Sequence, residues 1–294
     1  MIMEEIKFKG RAIYTTKGAA REYGRVGCNF YKGCPHGCEY CYLKRGAPSK
    51  NLGGSVAELK KCFRDEDDAL RIFRKEVHTH LDVLKKTGVF FSFTTDPLIP
   101  ETRNLTIGAL QELMKHDIPA QVLTKDASWI FDEYTKVFFF GMLPDSGKDI
   151  RLGFTLTGRD DMEPKASTNA KRIDIMRLLK KHHPDVKTWA SIEPVIDWQH
   201  ANMMVEMSLD CCDHYKIGLR SGVKNDYYDL VRSGQWLDDM TKAITSAGRT
   251  VYLKESAREL LLRCYNEDYY NEILSRTVDM DGNRIGQIDS EEED

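Results

Sequence analysis

The sequence lacks any apolar segment long enough to cross a bilayer, which argues against a helical membrane protein. Its most apolar stretch, residues 137–143, is far shorter than the ~18 uncharged apolar residues that mark a spanning helix. The first residues, MIMEEIKFKGR, contain acidic side chains and no apolar core, so they do not resemble a secretory signal. We therefore expect a soluble protein that has no membrane partner and stays in the cytoplasm.

Internal repeats and linkers rich in Pro, Gly or Ser are also missing, which argues against a solenoid or a string of flexibly joined domains. With 294 residues, of which 41% are hydrophobic and 30% charged, the chain can build a substantial core. We predict one main domain over residues 28–275. An N-terminal extension over residues 1–27 precedes it, and an acidic tail over residues 276–294 follows it.

Charge is balanced overall but unevenly distributed. The net charge is −3, yet Lys and Arg clearly outnumber Asp and Glu between Met1 and Lys61. From Val278 to Asp294 the reverse holds, since Arg284 is the single basic side chain among many acidic ones, which predicts a solvated tail. The basic beginning of the chain fits either a surface that faces a phosphate-bearing partner or an ordinary solvated surface.

Four of the eight cysteines fall close together, and three of them have the spacing C-x3-C-x2-C. The three are Cys34, Cys38 and Cys41, and the fourth is Cys28. An even number of cysteines can indicate disulfides, but a large core and a reducing compartment argue against them. Glycine and proline between the three cysteines let the backbone bend around a centre, so the thiolates can converge on a soft metal.

The spacing alone leaves three interpretations open: an iron–sulfur cluster, a zinc ion, or no metal. A structural zinc ion needs four ligands, and here the fourth would be Cys28 or His36. No second CxxC follows downstream. A cluster held by three thiolates would leave one iron open for a substrate or cofactor.

From residue 69 onward, helical and extended patterns alternate. Strand–helix alternation predicts a parallel sheet covered by helices, and about six or seven such units fit an α/β fold built as a full or partial (β/α) TIM-type barrel. A doubly wound open sheet is the alternative, but no GxGxxG follows any strand. The predicted helices span residues 69–86, 104–116, 127–142, 168–182, 199–209, 226–247 and 257–275. The predicted strands span residues 88–93, 119–123, 150–156, 186–192, 214–219 and 250–253, after a first strand before the cysteines.

Polar side chains stand where these predicted strands end. In (β/α) barrels the chemistry collects at the carboxyl ends of the strands, so the residues at these ends predict a shared polar pocket. They are Thr94, Thr95, Asp96, Thr124, Lys125, Asp126, Thr155, Thr157, Glu193, Arg220, Lys254 and Glu255.

The cysteine segment GCPHGCEYCYLKRG, with Tyr40 directly before the third cysteine, resembles the cluster-binding loop of the radical S-adenosylmethionine (radical SAM) superfamily. The longer segment from Asn29 to Tyr42 resembles the spore photoproduct lyase-like, or DNA repair photolyase, branch. The resemblance implies that Cys34, Cys38 and Cys41 hold a 4Fe-4S cluster and that residues 28–275 form a radical SAM barrel.

The same resemblance extends along the strand ends, over roughly residues 28–200. The segment with Thr95 and Asp96 is similar to one that contacts the amino group of S-adenosyl-L-methionine. Lys125 matches a lysine that holds the carboxylate of the cofactor. Thr155 stands in place of a serine that touches the cofactor, and the Glu163…Arg172 spacing repeats a further pattern of the group. The resemblance thus implies that Tyr40, Thr95, Asp96, Lys125, Thr155 and Arg172 bind the cofactor.

The resemblance implies an enzyme that cleaves S-adenosyl-L-methionine reductively to a 5′-deoxyadenosyl radical, which abstracts hydrogen from a substrate. Such an enzyme needs an electron donor such as a flavodoxin or ferredoxin. Glu193 and Lys254 are our candidates for catalytic acid/base groups facing the substrate. The branch and the basic segment from Met1 to Lys61 together favour a nucleic acid, nucleotide or nucleobase substrate, whereas a peptide or small metabolite is the alternative.

The sequence departs from the lyase pattern itself, since Phe93 stands where the lyase has a hydrogen-donating cysteine. We therefore do not predict spore photoproduct repair. The segment Ser191-Ile192-Glu193-Pro194 is more similar to phage-encoded relatives of the branch. Two other classes remain as alternatives: a zinc-stabilised nucleic-acid-binding module, and a catalytically silent iron–sulfur barrel.

Overall fold

The computed structural model describes residues 8–223 and 227–285. The predicted N-terminal extension and acidic tail therefore lie partly outside the described residues, at residues 1–7 and 286–294. The chain folds as two compact units. The first contains the residues up to Thr155 together with Arg159–Thr188, and the second contains Leu156–Gly158 and the residues from Trp189 onward.

The first unit is built on a mostly parallel sheet. In chain order its strands are β1 (Ile13–Thr15), β2 (Val26–Cys28), β3 (Tyr31–Lys32), β4 (Glu58–Leu59), β5 (Val89–Phe91), β6 (Ala120–Thr124) and β7 (Ile150–Thr155). The sheet order is β1-β2-β5-β6-β7, in which β1 runs antiparallel to β2 and the others are parallel. Strands β3 and β4 form a separate antiparallel pair around the cysteine segment. Strands β2 and β5 are buried along their whole length, as in a sheet with both faces covered.

Helices follow these strands. They are α1 (Gly46–Asn51), α2 (Glu66–Thr79), α3 (Leu81–Thr87), α4 (Arg103–Lys115), α5 (Glu133–Val137), α6 (Leu143–Ser146) and α7 (Asn169–His182). A π-helical turn, Phe138–Met142, joins α5 to α6. Short 3₁₀ turns occur at Gly18–Glu22, Tyr42–Lys44, Ser128–Phe131 and Asp160–Met162. Polar caps start several helices, because a side-chain oxygen satisfies a free backbone N–H of the first turn: Asp65 caps α2, Asp132 caps α5 and Thr168 caps α7.

The second unit repeats the same strand–helix alternation. Its strands are β8 (Thr188–Val195), β9 (His214–Leu219) and β10 (Thr250–Leu253), and each pairs in parallel with its neighbour. Its helices are α8 (Trp198–Ser208), α9 (Leu230–Ser246), α10 (Glu255–Cys264) and α11 (Glu267–Ser275). Asp197, Asp229 and Asn266 cap α8, α9 and α11.

The structure confirms the predicted alternation and corrects several element boundaries. Strand β2 and strands β5 to β10 are each followed along the chain by at least one helix, which matches the expected number of units. Three predicted helices are wrong as single elements. Residues 69–86 break at His80, residues 127–142 divide into a 3₁₀ turn, α5 and the π turn, and residues 257–275 break at Tyr265 and Asn266. Within the described ranges, no helix is both long and apolar enough to span a bilayer.

Candidate active site

The cysteine loop, residues 34–41, lies between β3 and the 3₁₀ turn Tyr42–Lys44. Gly33 turns the chain into the loop with φ of +75°, and a Cβ at this position would lie 2.2 Å from the carbonyl oxygen of Val56. Only glycine fits here, because both the left-handed backbone and the close approach exclude a side chain. The backbone N–H of Cys34 then donates to Gly54 O at 3.0 Å, which fixes the start of the loop.

The three thiols of the loop are free and largely enclosed. Cys38 is buried, while Cys34 and Cys41 are half-buried. Burial and the neighbouring Asp96 carboxylate raise the pKa of Cys34 to about 12, and burial also raises the pKa of Cys38. Thiols with raised pKa values are protonated near neutral pH, so a metal centre that binds them must displace protons and supply positive charge.

Of the two candidates for a fourth zinc ligand, Cys28 is enclosed in a strand and His36 is held by other groups. Cys28 is fully buried within β2. His36 is buried as well, and both of its ring nitrogens are occupied: Nε2 lies 2.8 Å from Asp96 Oδ2, and Nδ1 lies 3.2 Å from the carbonyl oxygen of Lys165. Three thiols without a fourth ligand suit a cluster with one open iron better than a closed zinc site.

Asp96 connects the cysteine loop to the ends of β5 and β6. Besides the His36 ring, its carboxylate accepts hydrogen bonds from Thr124 Oγ1 at 2.6 Å, the Lys125 N–H at 2.6 Å and the Leu98 N–H at 3.0 Å. Burial alone would raise the pKa of Asp96, but the His36 charge and these donors outweigh it and lower the pKa to about 2. Both carboxylate oxygens are therefore used to hold protein groups together.

A second buried chain of contacts begins at Tyr40, inside the cysteine loop. The Tyr40 hydroxyl donates to Glu163, and Arg172 Nη2 donates to the other oxygen of Glu163 at 2.5 Å. The side chains of Glu163 and Arg172 are both 0% exposed. Arg172 also donates to the backbone carbonyls of Lys125 at 3.1 Å and Thr155 at 2.8 Å. This guanidinium thus fixes the carboxyl ends of β6 and β7 relative to the loop.

Two polar groups near the loop are left without such partners. The Thr95 hydroxyl is buried and has no hydrogen-bond partner in the described part of the chain. Lys125 Nζ lies 5.5 Å from the centroid of the Tyr40 ring, and within residues 8–223 and 227–285 it makes no ion pair. Burial lowers the pKa of Lys125, but electrostatic interaction with Cys38 and with the Glu163 carboxylate more than offsets it, so the pKa of Lys125 is raised.

The predicted acid/base pair lies in the second unit. Lys254 Nζ donates to Glu193 Oε2 at 2.6 Å, and Lys254 is buried whereas Glu193 is half-buried. Gly218 on β9 leaves room for this pair, since a Cβ there would lie 2.7 Å from Lys254 Cδ and 2.9 Å from Glu193 Cδ. Lys216 on the same strand is buried, with its ammonium 5.4 Å from the Trp189 ring centroid.

The structure gathers most of the predicted site within the first unit and assigns the rest to the second. The first unit contains Cys34, Cys38, Cys41, Tyr40, Thr95, Asp96, Lys125, Thr155 and Arg172, and the second contains Glu193 and Lys254. Two members of the buried network were not predicted as site residues: His36, considered only as a zinc ligand, and Glu163, noted only for its spacing from Arg172. The position of His36 between Cys34 and Cys38 was the available sequence signal for its role.

Comparisons with known proteins support the fold. No family model and no curated protein matches this chain. Two crystal structures of SuiB from Streptococcus suis are similar to it at 13% sequence identity. The S-adenosylmethionine-bound structure has a TM-score of 0.51, with 76% of this chain and 48% of the SuiB chain covered. The other has a TM-score of 0.50, with 76% and 46% covered. The chain thus spans about half the length of these structures. The likeness confirms the predicted α/β fold, in which strands and helices alternate around a mostly parallel sheet.

Proposed function

We propose that the chain is a radical SAM enzyme in which Cys34, Cys38 and Cys41 hold a 4Fe-4S cluster next to a site for S-adenosyl-L-methionine. The observation that carries this proposal is the pair of buried networks around the cysteine loop. They fix the loop to the ends of β5, β6 and β7. Among the described residues they leave the Lys125 ammonium without an ion pair and the Thr95 hydroxyl without a hydrogen bond.

These two groups match the two polar ends of a methionine moiety. Lys125 supplies a cation for the carboxylate, and Thr95 supplies an acceptor for the ammonium. The hydrogen-bonding groups of Asp96 and Arg172 already hold His36, Glu163 and the ends of the strands, so these two residues stabilise the site rather than contact the cofactor. We therefore assign them positioning roles, and Tyr40 the role of linking the loop to Glu163.

When bound, the cluster and cofactor supply a 5′-deoxyadenosyl radical that abstracts a hydrogen atom from the substrate. The residues of this chain contribute orientation and a dry environment. The side chains of Glu163 and Arg172 are completely buried, so water does not reach this ion pair.

Anaerobic reconstitution with iron and sulfide tests this proposal. The reconstituted chain, reduced with dithionite, is expected to bind about four irons, in keeping with a 4Fe-4S cluster, and to release 5′-deoxyadenosine and methionine from S-adenosyl-L-methionine. The combined substitution of Cys34, Cys38 and Cys41 by Ala should abolish both. Cys62→Ala is the matched control, since Cys62 is an exposed cysteine outside the trio and its removal should change neither. A wild-type chain that binds zinc alone, or iron without cofactor cleavage, would contradict the proposal.

We further propose that Glu193 and Lys254 act on the substrate. Lys254 Nζ holds a proton 2.6 Å from Glu193 Oε2, so the pair can pass a proton to or from a group bound at β8 and β10. Lys254→Met should suppress substrate conversion while leaving cofactor cleavage intact. Lys242→Met, which removes a half-exposed lysine of the same unit, is the control.

For the substrate we propose a nucleic acid or nucleobase, as in the spore photoproduct lyase-like branch, with a flavodoxin or ferredoxin as electron donor and the cytoplasm as the compartment. Support comes from the basic segment between Met1 and Lys61, in which Lys9, Arg11, Lys17, Arg21 and Lys61 are exposed. Assays of 5′-deoxyadenosine formation with DNA, RNA, nucleotide and peptide pools test this. Nucleic-acid binding should weaken steeply with salt, because neutralised phosphates release counterions. Stimulation by peptides alone would reject it.

A further inference from the structure

A cluster of metal-binding side chains lies outside the proposed active site, where α2 packs against α4. It consists of His78 in the last turn of α2, Glu112 in α4 and His116 directly after α4. One ligand atom from each side chain lies within 4.8 Å of the others. The sequence does not suggest this group, because His78 and Glu112 are far apart along the chain and only the packing of the two helices joins them.

The two oxygens of Glu112 face different neighbours. Oε1 lies 3.2 Å from His116 Nε2 and 4.0 Å from His78 Nε2. Oε2 instead accepts from Arg74 Nε at 3.3 Å and Lys115 Nζ at 3.1 Å. The two cations therefore orient the carboxylate through one oxygen and leave the other directed at the two imidazoles. Carboxylates that ligate metals are commonly held by such supporting hydrogen bonds.

The surroundings favour a cation despite Arg74 and Lys115. Both of these side chains are largely exposed, at 49% and 63%, so water screens their charges. Glu112 is only 6% exposed, and both histidines stand at helix C-termini, where the backbone carbonyls carry partial negative charge. The two imidazole rings are 4.7 Å apart between centroids and nearly perpendicular, so they are not stacked face to face.

We propose that His78 Nε2, His116 Nε2 and Glu112 Oε1 form a binding site for a borderline divalent transition metal, with Zn²⁺ as the leading ion. Two histidines and one glutamate are a ligand set that zinc accepts, with the fourth position open to water. A bound ion would join the C-terminal end of α2 to that of α4 and stabilise their packing. This site is independent of the cysteine loop and of the proposed radical chemistry.

Calorimetric titration with ZnCl₂ tests the site by comparing the equivalents of zinc bound by the full wild-type chain and by variants of it. The double substitution His78→Gln and His116→Gln should lose one equivalent of bound zinc, while the equivalents held by the cysteine loop stay unchanged because all proteins keep their cysteines. Each single substitution removes a ligand. It should therefore lower the zinc affinity of this site by more than about tenfold, which is the smallest effect expected from loss of a supporting hydrogen bond. His182→Gln, at the end of α7, is the matched control and should bind as the wild type does.

Two further measurements keep the result interpretable. The exposed fractions of the His78 and His116 side chains are 58% and 23%, so the variants should fold, and equal melting temperatures without zinc would verify this. Anomalous diffraction at the zinc edge should show a peak between α2 and α4. Identical stoichiometry in the wild type and the double variant, or a peak at the cysteine loop alone, would overturn the proposal.

Discussion

The buried charged side chains around the cysteine loop hold backbone groups rather than face open space. Arg172 satisfies two carbonyls at the ends of neighbouring strands, and Asp96 accepts the Lys125 N–H at the end of β6. A parallel sheet leaves such groups unpaired where its strands stop, and a buried unpaired carbonyl or N–H is costly. The same side chains that satisfy these ends thereby determine where the loop sits.

Glu163→Gln tests how much the buried ion pair between Glu163 and Arg172 stabilises the fold. Arg172 is completely buried against Glu163, so loss of the carboxylate charge leaves a guanidinium without an anion. We expect the free energy of unfolding to fall by about 3–5 kcal/mol, as for other broken buried pairs. Urea denaturation followed by circular dichroism measures it. Glu39→Gln, at an exposed position beside Tyr40, serves as the control. A loss below about 1 kcal/mol would mean that the pair behaves like a surface salt bridge.

Lys125→Met tests the proposed contact between Lys125 and the carboxylate of S-adenosyl-L-methionine. Removing a hydrogen bond to a charged group costs about 1.5–3 kcal/mol, so the dissociation constant for S-adenosyl-L-methionine should rise about 10- to 100-fold. Iron content should stay the same, because Lys125 holds none of the cysteines through a hydrogen bond of its side chain. Lys171→Met, on an exposed face of α7, should leave the affinity unchanged. Unaltered affinity in Lys125→Met would remove this lysine from the cofactor site.

Candidate ligands can be proposed from the sequence, whereas the residues that hold them in position are harder to recognise. The spacing of Cys34, Cys38 and Cys41 and the place of Lys125 at the end of a strand are visible in the sequence. The clamp formed by Arg172 is not visible, because its partners are the carbonyl oxygens of Lys125 and Thr155, and every residue has such an oxygen. Roles that depend on backbone acceptors have no signature in side-chain patterns.

Helix boundaries can have a local cause, which is visible in the sequence, or a tertiary cause, which is not. The break at Asn266 is local: Asn266 accepts from the Tyr269 N–H at 3.0 Å, and acidic residues follow it in the first turn of α11, which is a readable start signal. The break at His80 is different, since the apolar spacing continues through it. There the ring of Phe8 stacks on His80 at 4.3 Å, a contact from a distant part of the chain that periodicity cannot reveal.

Asp238 joins α9 to the C-terminal end of the described chain, and Asp238→Asn tests that junction. Its carboxylate accepts from Lys242 Nζ at 2.7 Å, from the Tyr269 hydroxyl at 2.7 Å and from Arg276. Burial raises the pKa of Asp238, but these partners outweigh it and lower the pKa. We expect the substitution to cost about 1–2 kcal/mol at neutral pH, a modest value because Lys242 is half-exposed.

The pH dependence of this loss has a defined sign. A carboxyl with a lowered folded-state pKa contributes stability above its unfolded pKa of about 4, and the contribution disappears as the pH falls through the folded value. The wild type and Asp238→Asn should therefore differ most above pH ~5 and converge in acid. Chemical denaturation at pH 7 and at pH 3 measures both. Asp239→Asn is the adjacent control, and a gap that widens in acid would contradict the assignment.

For the whole chain, the fold was predictable because alternating strands and helices recur from residue 69 onward, and each unit carries the same pattern. The antiparallel β1 and the β3–β4 pair were not predicted, since they are too short to show alternation and lack the continuous apolar run that marks β5. The β3–β4 pair flanks the cysteine loop. The least predictable elements thus lie next to the most recognisable motif.

Cofactor binding should also be visible in the stability of the complete chain. A ligand that binds only the folded state stabilises it by about 2.7 kcal/mol at a concentration ~100 times its dissociation constant. For the iron-loaded chain, saturating S-adenosyl-L-methionine should raise the melting temperature by several degrees. The chain with Ala at positions 34, 38 and 41 should show no rise, because the proposed cluster cannot form. In Lys125→Met the same rise should require about 10- to 100-fold more cofactor.

Differential scanning calorimetry under anaerobic conditions measures all three. An equal shift with and without the three cysteines would place the cofactor away from the loop, since its binding would then owe nothing to the thiolates.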